Sequence, residues 1–92
     1  MIEQTILRNL LTNEPFMRKT IPFLRSEYFH DAVQRTVFDE IASFVTKYNQ
    51  CPTQESLSID LSKKNLSEEI FRGSVGLINE LVPEEPATDL QW

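Results

Sequence analysis

The sequence predicts an all-α fold, a compact bundle of about five short helices around one long central helix. Only two glycines, Gly73 and Gly76, occur among 92 residues, and strand-like alternation of apolar and polar residues is scarce. Five stretches instead carry apolar residues at helical spacing. Capping residues and prolines punctuate them where helices should start and stop.

The first helix is predicted from Ile2 to Leu11. Ile2, Ile6 and Leu10 recur every four residues, and Leu7 and Leu11 widen the apolar face, enough to contact two neighbours. Asn13 followed by Glu14 and Pro15 starts the second helix, because asparagine caps well and proline is tolerated in a first turn. It runs to about Ile21, where Pro22 cannot donate the next hydrogen bond. Phe16, Ile21, Phe23 and Leu24 are its expected apolar contacts.

Asp31 to Tyr48 is the expected central helix. Val33, Val37, Ile41, Phe44, Val45 and Tyr48 form one stripe, with Phe38 at its edge. Gln34, Arg35, Asp39 and Lys47 fall outside it. After Asn49-Gln50-Cys51-Pro52, Thr53 caps a fourth helix from Gln54 to about Ser62, whose expected buried pair is Leu57 and Leu61. Ser67 caps a fifth, from Glu68 to about Val82, with Glu68 and Glu69 at its dipole-favoured first turn. Ile70, Phe71, Ser74, Ile78 and Leu81 face one way, with Val75 and Val82 on the flank. Arg72, Gly73, Gly76, Asn79 and Glu80 face the other.

A chain of this length supports one core, burying roughly 60–65% of its unfolded surface. Residues 1–82 are therefore expected to form a single globular domain. Pro83-Glu84-Glu85-Pro86 reads as a linker, and Thr88-Asp89-Leu90-Gln91-Trp92 as a cap and the first turn of a further helix. An apolar Leu90 and Trp92 one turn into a helix predict that the natural protein continues past Trp92.

Hydrophobic residues at 40% and charged residues at 25% sit near globular averages. No apolar run approaches the roughly 20 residues of a bilayer span, and no signal peptide is recognisable at the start. The net charge of −5 and pI of 4.8 oppose duplex binding, which needs a basic patch to displace counterions. Cys51 is the single cysteine, which excludes an internal disulfide and fits a reducing cytoplasm. With no histidine nearby, it reads as an inert loop thiol.

No catalytic, cofactor-binding or metal residue is predicted. Gly73 and Gly76 lie in a helical pattern with no lysine after them, so they form no phosphate loop. The single His30 excludes His-rich metal sites and most nucleophile–base arrangements; beside Asp31 it reads as an exposed residue at a helix start. Glu68-Glu69 and Glu84-Glu85 are adjacent carboxylates that point apart and read as solvated charge. Most aromatic residues lie at core spacing rather than as a stacking platform. The two glycines, one turn apart on the polar face, leave room for another backbone or simply weaken a surface helix.

The order of several short motifs resembles the N-terminal domain of DnaB-type replicative helicases. Glu3-Gln4-x-Ile6-Leu7-x-x-Leu10-Leu11-x-Asn13 is similar to the E-x-x-[IV]-L helix that opens that domain. Ser26-Glu27-Tyr28-Phe29 followed by Val37-Phe38-Asp39-Glu40-Ile41 is similar to its short F-[YF] segment before a long helix. Cys51-Pro52-Thr53 through Leu57 resembles its P-[ST] start of the next helix. Ile21-Pro22-Phe23 and Ser26-Glu27-Tyr28-Phe29 are nearest the T-even-like phage branch. Many cellular members carry a histidine where this chain has Gln34. The resemblance covers about residues 2–82.

It implies a non-catalytic head domain of a hexameric motor, with ATP and Mg bound in a RecA-like domain beyond this chain. The expected role is support of ring and collar assembly, with the other ring subunits and a primase or helicase loader as partners. The expected location is the cytoplasm, that of the host if the protein is phage-encoded. Neither direct nucleic-acid binding nor membrane association is expected of this segment. It is expected to be mostly monomeric at micromolar concentration. The rival reading is a stand-alone phage helical adaptor or regulatory domain that binds protein.

Overall fold

The computed structural model describes residues 2–82. Five α-helices follow in order: α1 (Ile2–Thr12), α2 (Glu14–Thr20), α3 (Ala32–Tyr48), α4 (Gln54–Ser62) and α5 (Glu68–Leu81). Two short 3₁₀ turns, Ile21–Phe23 and Ser26–Tyr28, link α2 to α3. No strand occurs among the described residues, so the all-α bundle around a long helix is what forms. The expected linker at 83–86 and the helical turn at 88–92 lie outside the described residues.

The starts of α2, α3, α4 and α5 follow from their caps. Asn13, Asp31, Thr53 and Ser67 are extended, and each side chain accepts a hydrogen bond from the N–H three residues on. This satisfies a donor that the helix itself leaves open. At Thr53 the bond is reciprocal, since Ser56 Oγ accepts from the Thr53 N–H. At the far end of α3, Asn49 takes the left-handed conformation, φ 56°, which asparagine tolerates better than most residues. Arg18 of α2 secures that end by donating to Asn49 Oδ1 at 2.7 Å and to its carbonyl at 2.9 Å.

α3 packs against α5, α1, α4 and the second 3₁₀ turn, as expected for the central helix. Its Val37, Phe38, Ile41 and Val45 meet Leu7, Leu10 and Leu11 of α1, Met17, Phe29, Leu57 and Leu61 of α4, and Ile78 and Leu81 of α5 in one core. The α3 stripe is rotated from its expected position. Phe38, expected at the edge, is buried and stacks on Phe29 with ring centroids 5.1 Å apart. Val33 and Phe44 are only half-buried, and Tyr48 is exposed, its ring against Phe44. The reason is Phe29, which enters from the turn before the helix and covers the Phe38 side.

Two further apolar assignments fail at the rim. Ile2 at the start of α1 and Phe23 in the first 3₁₀ turn are exposed, at 70% and 75%. Arg35, expected outside the stripe, is half-buried. Its guanidinium donates to the carbonyls of Phe29 and His30 at 2.9 and 2.7 Å, satisfying backbone acceptors in the loop before α3.

Candidate interaction surfaces

The residues singled out from sequence do not converge. His30 is exposed at the start of α3, and Cys51 is half-buried beyond its end. The Cys51 Sγ lies 3.5 Å from the Leu10 carbonyl oxygen. Burial raises its pKa, the Glu14 carboxylate raises it further, and Arg18 opposes both. A thiol held protonated is a poor nucleophile. Among the described residues no group of three or more His, Cys, Asp or Glu gathers as metal ligands would. No helix among them is long and apolar enough to cross a membrane.

The glycines part company. A Cβ on Gly73 would stand 2.8 Å from Val33 Cγ2 of α3, whereas one on Gly76 would meet nothing within 4 Å. Gly73 therefore does not belong to the free polar face. Its missing side chain lets α5 approach α3 inside the domain. Only Gly76 lies on an open surface.

One buried charge escaped the sequence reading. Glu40, on α3, is 4% exposed, and its Oε1 lies 3.5 Å from the Lys64 ammonium. Desolvation raises the Glu40 pKa; Lys64 offsets part of the rise, while Asp60 and Asp39 add to it. The position was visible in principle, since residue 40 is three beyond Val37 and four before Phe44 on the stripe. Its partner was not, because Lys64 arrives from the loop after α4. On α5, the Ser74 hydroxyl is also buried and has no hydrogen-bond partner among the described residues.

Two surface features remain. The first is a ridge. Backbone dihedrals stay helical through Thr20 and Ile21, so α2 runs into the first 3₁₀ turn without a break in direction. Pro22 ends the α-helical bonding, and the chain tightens until the Leu24 N–H donates to the Ile21 carbonyl at 3.2 Å. Met17 is buried, and Phe16, Thr20, Ile21 and Leu24 turn partly inward. Pro15, Lys19, Pro22 and Phe23 turn outward. Lys19 and Arg25 form no ion pair with the described residues, while Arg18 pairs with Glu14 at 2.5 Å.

The second feature is an open pocket of about 270 Å³ where α4 hands over to α5. Leu61, Leu66 and Phe71 supply apolar wall, and Ser62, Lys64 and Glu68 the polar part. Lys64 is turned toward Glu40, and Glu68 toward Arg72 at 2.7 Å. Sequence reading had no way to find this pocket, because it depends on the angle between two helices.

The described residues form a small all-α domain of five helices. No known family model matches the chain. Over 84 residues it is 29% identical to the DnaB-like replicative helicase of Enterobacteria phage T4, covering 89% of this chain and 18% of the helicase. The chain thus spans less than a fifth of that protein's length.

Proposed function

We propose that this chain is the non-catalytic N-terminal head of a phage-type replicative DNA helicase. In this reading it supports assembly of the ring and its collar, and it offers a surface to a primase or helicase loader. The carrying observation is the likeness to the phage T4 helicase along 89% of the chain. The helix order and the acidic balance support the same reading. ATP and Mg would be bound, and strands separated, by a motor domain further along the protein, in the cytoplasm of the infected host.

The gene itself provides the test. A phosphate-binding motif of the form G-x-x-x-x-G-K-[ST] should follow within about two hundred codons, because a motor needs glycine backbone and a lysine around the nucleotide phosphates. An open reading frame that stops at or just after Trp92 sinks the proposal and leaves the stand-alone adaptor.

A further inference from the structure

We infer that the ridge built by α2 and the two 3₁₀ turns binds single-stranded nucleic acid, bases stacking on Phe23 and Tyr28 and phosphates meeting Lys19 and Arg25. In the helicase reading, strands are handled by a motor domain further along the protein. This site belongs to the present chain and stands on the ridge alone.

Cations and exposed rings alternate along the ridge. Helical dihedrals continue from Lys19 through Ile21, which sets Phe23 one turn beyond Lys19 on the same face, with Cβ atoms about 5–6 Å apart. Leu24 and Arg25 are extended, and in extended backbone residues two apart point the same way. Leu24 and Ser26 are half-buried, so Phe23 and Arg25 stand outward. The Tyr28 N–H then donates to the Arg25 carbonyl at 3.0 Å, a turn that returns residue 28 to within about 7 Å of residue 25. Lys19, Phe23, Arg25 and Tyr28 therefore run cation, ring, cation, ring. The rings are 75% and 51% exposed, and neither cation has an ion pair with the described residues.

The acidic balance of the chain does not extend to this stretch. Residues 15–30 hold Arg18, Lys19 and Arg25 against Glu27 alone, leaving 14 − 1 = 13 acidic and 9 − 3 = 6 basic side chains for the rest. Arg18 is occupied by Glu14 and Asn49, so Lys19 and Arg25 are the cations on offer.

A polyanion with flat units between its charges fits such a row. Base–ring stacking tolerates any base, and cations beside the rings hold the backbone. A duplex keeps its base faces stacked inside and offers the rings nothing. A peptide anchor docks by filling a pocket, whereas the Phe23 ring stands clear of the surface. Its backbone is held, since Ile21 and Leu24 on either side pack against the core, and little freedom is lost on binding.

Two phosphate contacts and one or two stacks make a weak site, with a dissociation constant of about 10⁻⁴ M at low salt. The test follows amide NMR signals of the isotope-labelled chain as an oligothymidylate of about ten nucleotides is added. Oligouridylate of the same length, titrated in parallel, separates DNA from RNA, and movement of residues 19–28 with either supports the site. Affinity should fall about sevenfold between about 50 and 200 mM salt, from a slope of about −1.4 for two contacts on a single strand. Phe23→Ala should weaken binding about fivefold or more, the loss of one base–ring stack. Lys19→Gln combined with Arg25→Gln should remove most of the salt dependence. Lys63→Gln, at an exposed position in the loop after α4, should change nothing. Unchanged thermal melts establish that the variants fold. Polyphosphate, which carries charge without bases, should act alike on the parent and on Phe23→Ala. No movement of residues 19–28 with either oligonucleotide, binding unaltered by Phe23→Ala, or an equal response to duplex DNA each overturn the inference. So does movement with a glutamate-rich, tryptophan-containing peptide in place of the oligonucleotides, which assigns the ridge to a protein partner.

Discussion

Alanine at the two glycines of α5 should have opposite effects on stability. Replacing a helical glycine by alanine ordinarily stabilises by about 0.8–1.0 kcal/mol, because the unfolded backbone has less freedom to lose. Gly76→Ala should show this gain, since its new methyl meets nothing within 4 Å. At Gly73 the methyl would stand 2.8 Å from Val33 Cγ2, about 1 Å inside the optimal carbon–carbon separation. Val33 is β-branched and stiff about χ1, so it cannot swing aside cheaply. Overpacking of this kind costs about 1–3 kcal/mol, which cancels or exceeds the helical gain.

The expected result is Gly76→Ala stabilised by about 1 kcal/mol and Gly73→Ala between neutral and about 2 kcal/mol destabilised. In a domain of this size each kcal/mol moves Tm by about 4–8 °C, so thermal melts followed by circular dichroism separate the two. Adding Val33→Ala to Gly73→Ala removes the clash and should give a favourable coupling of about 1 kcal/mol. Equal stabilisation by both glycine substitutions would refute the close approach of α5 to α3.

Three other outcomes test the packing and the buried charge. Ile41→Ala should cost about 2–5 kcal/mol, and Phe44→Ala only about 1–2 kcal/mol because its ring is half-buried; urea denaturation of both variants checks the difference. Burial raises the folded-state pKa of Glu40, so its contribution is most favourable at low pH and fades as pH rises through that pKa. Glu40→Gln should therefore raise stability at pH 7 by up to about 1 kcal/mol and flatten the pH dependence above the ordinary glutamate range. A Glu40→Gln variant less stable than the parent at pH 7 would show that the Lys64 attraction outweighs desolvation. Cys51, with its pKa raised by burial and by Glu14, should react with a disulfide reagent far more slowly in the folded chain than in urea, a comparison made by absorbance.

The sequence was sufficient for everything governed by local chemistry. Asn13, Thr53 and Ser67 mark helix starts because their side chains bond amides three residues away, an interaction that needs no distant partner; Asp31, expected as the first residue of the central helix, is its cap instead. Leu57 and Leu61, Ile78 and Leu81 are buried as their spacing requires, because a helix places such residues on one face whatever it packs against. The 29% identity to a phage helicase agrees with the motif order.

Tertiary structure alone decided which edge of each stripe is covered. Phe38 is buried because Phe29 arrives from the preceding turn, and Phe23 is exposed because none of the described elements covers the first 3₁₀ turn there. Gly73 faces Val33 because two helices far apart in sequence cross closely, and Glu40 meets Lys64 because the loop after α4 is carried back over α3. Spacing along a chain sets the direction of a side chain about its own helix axis. Whether a neighbour stands in that direction depends on how rigid helices dock, and that is settled by the whole set of contacts at once.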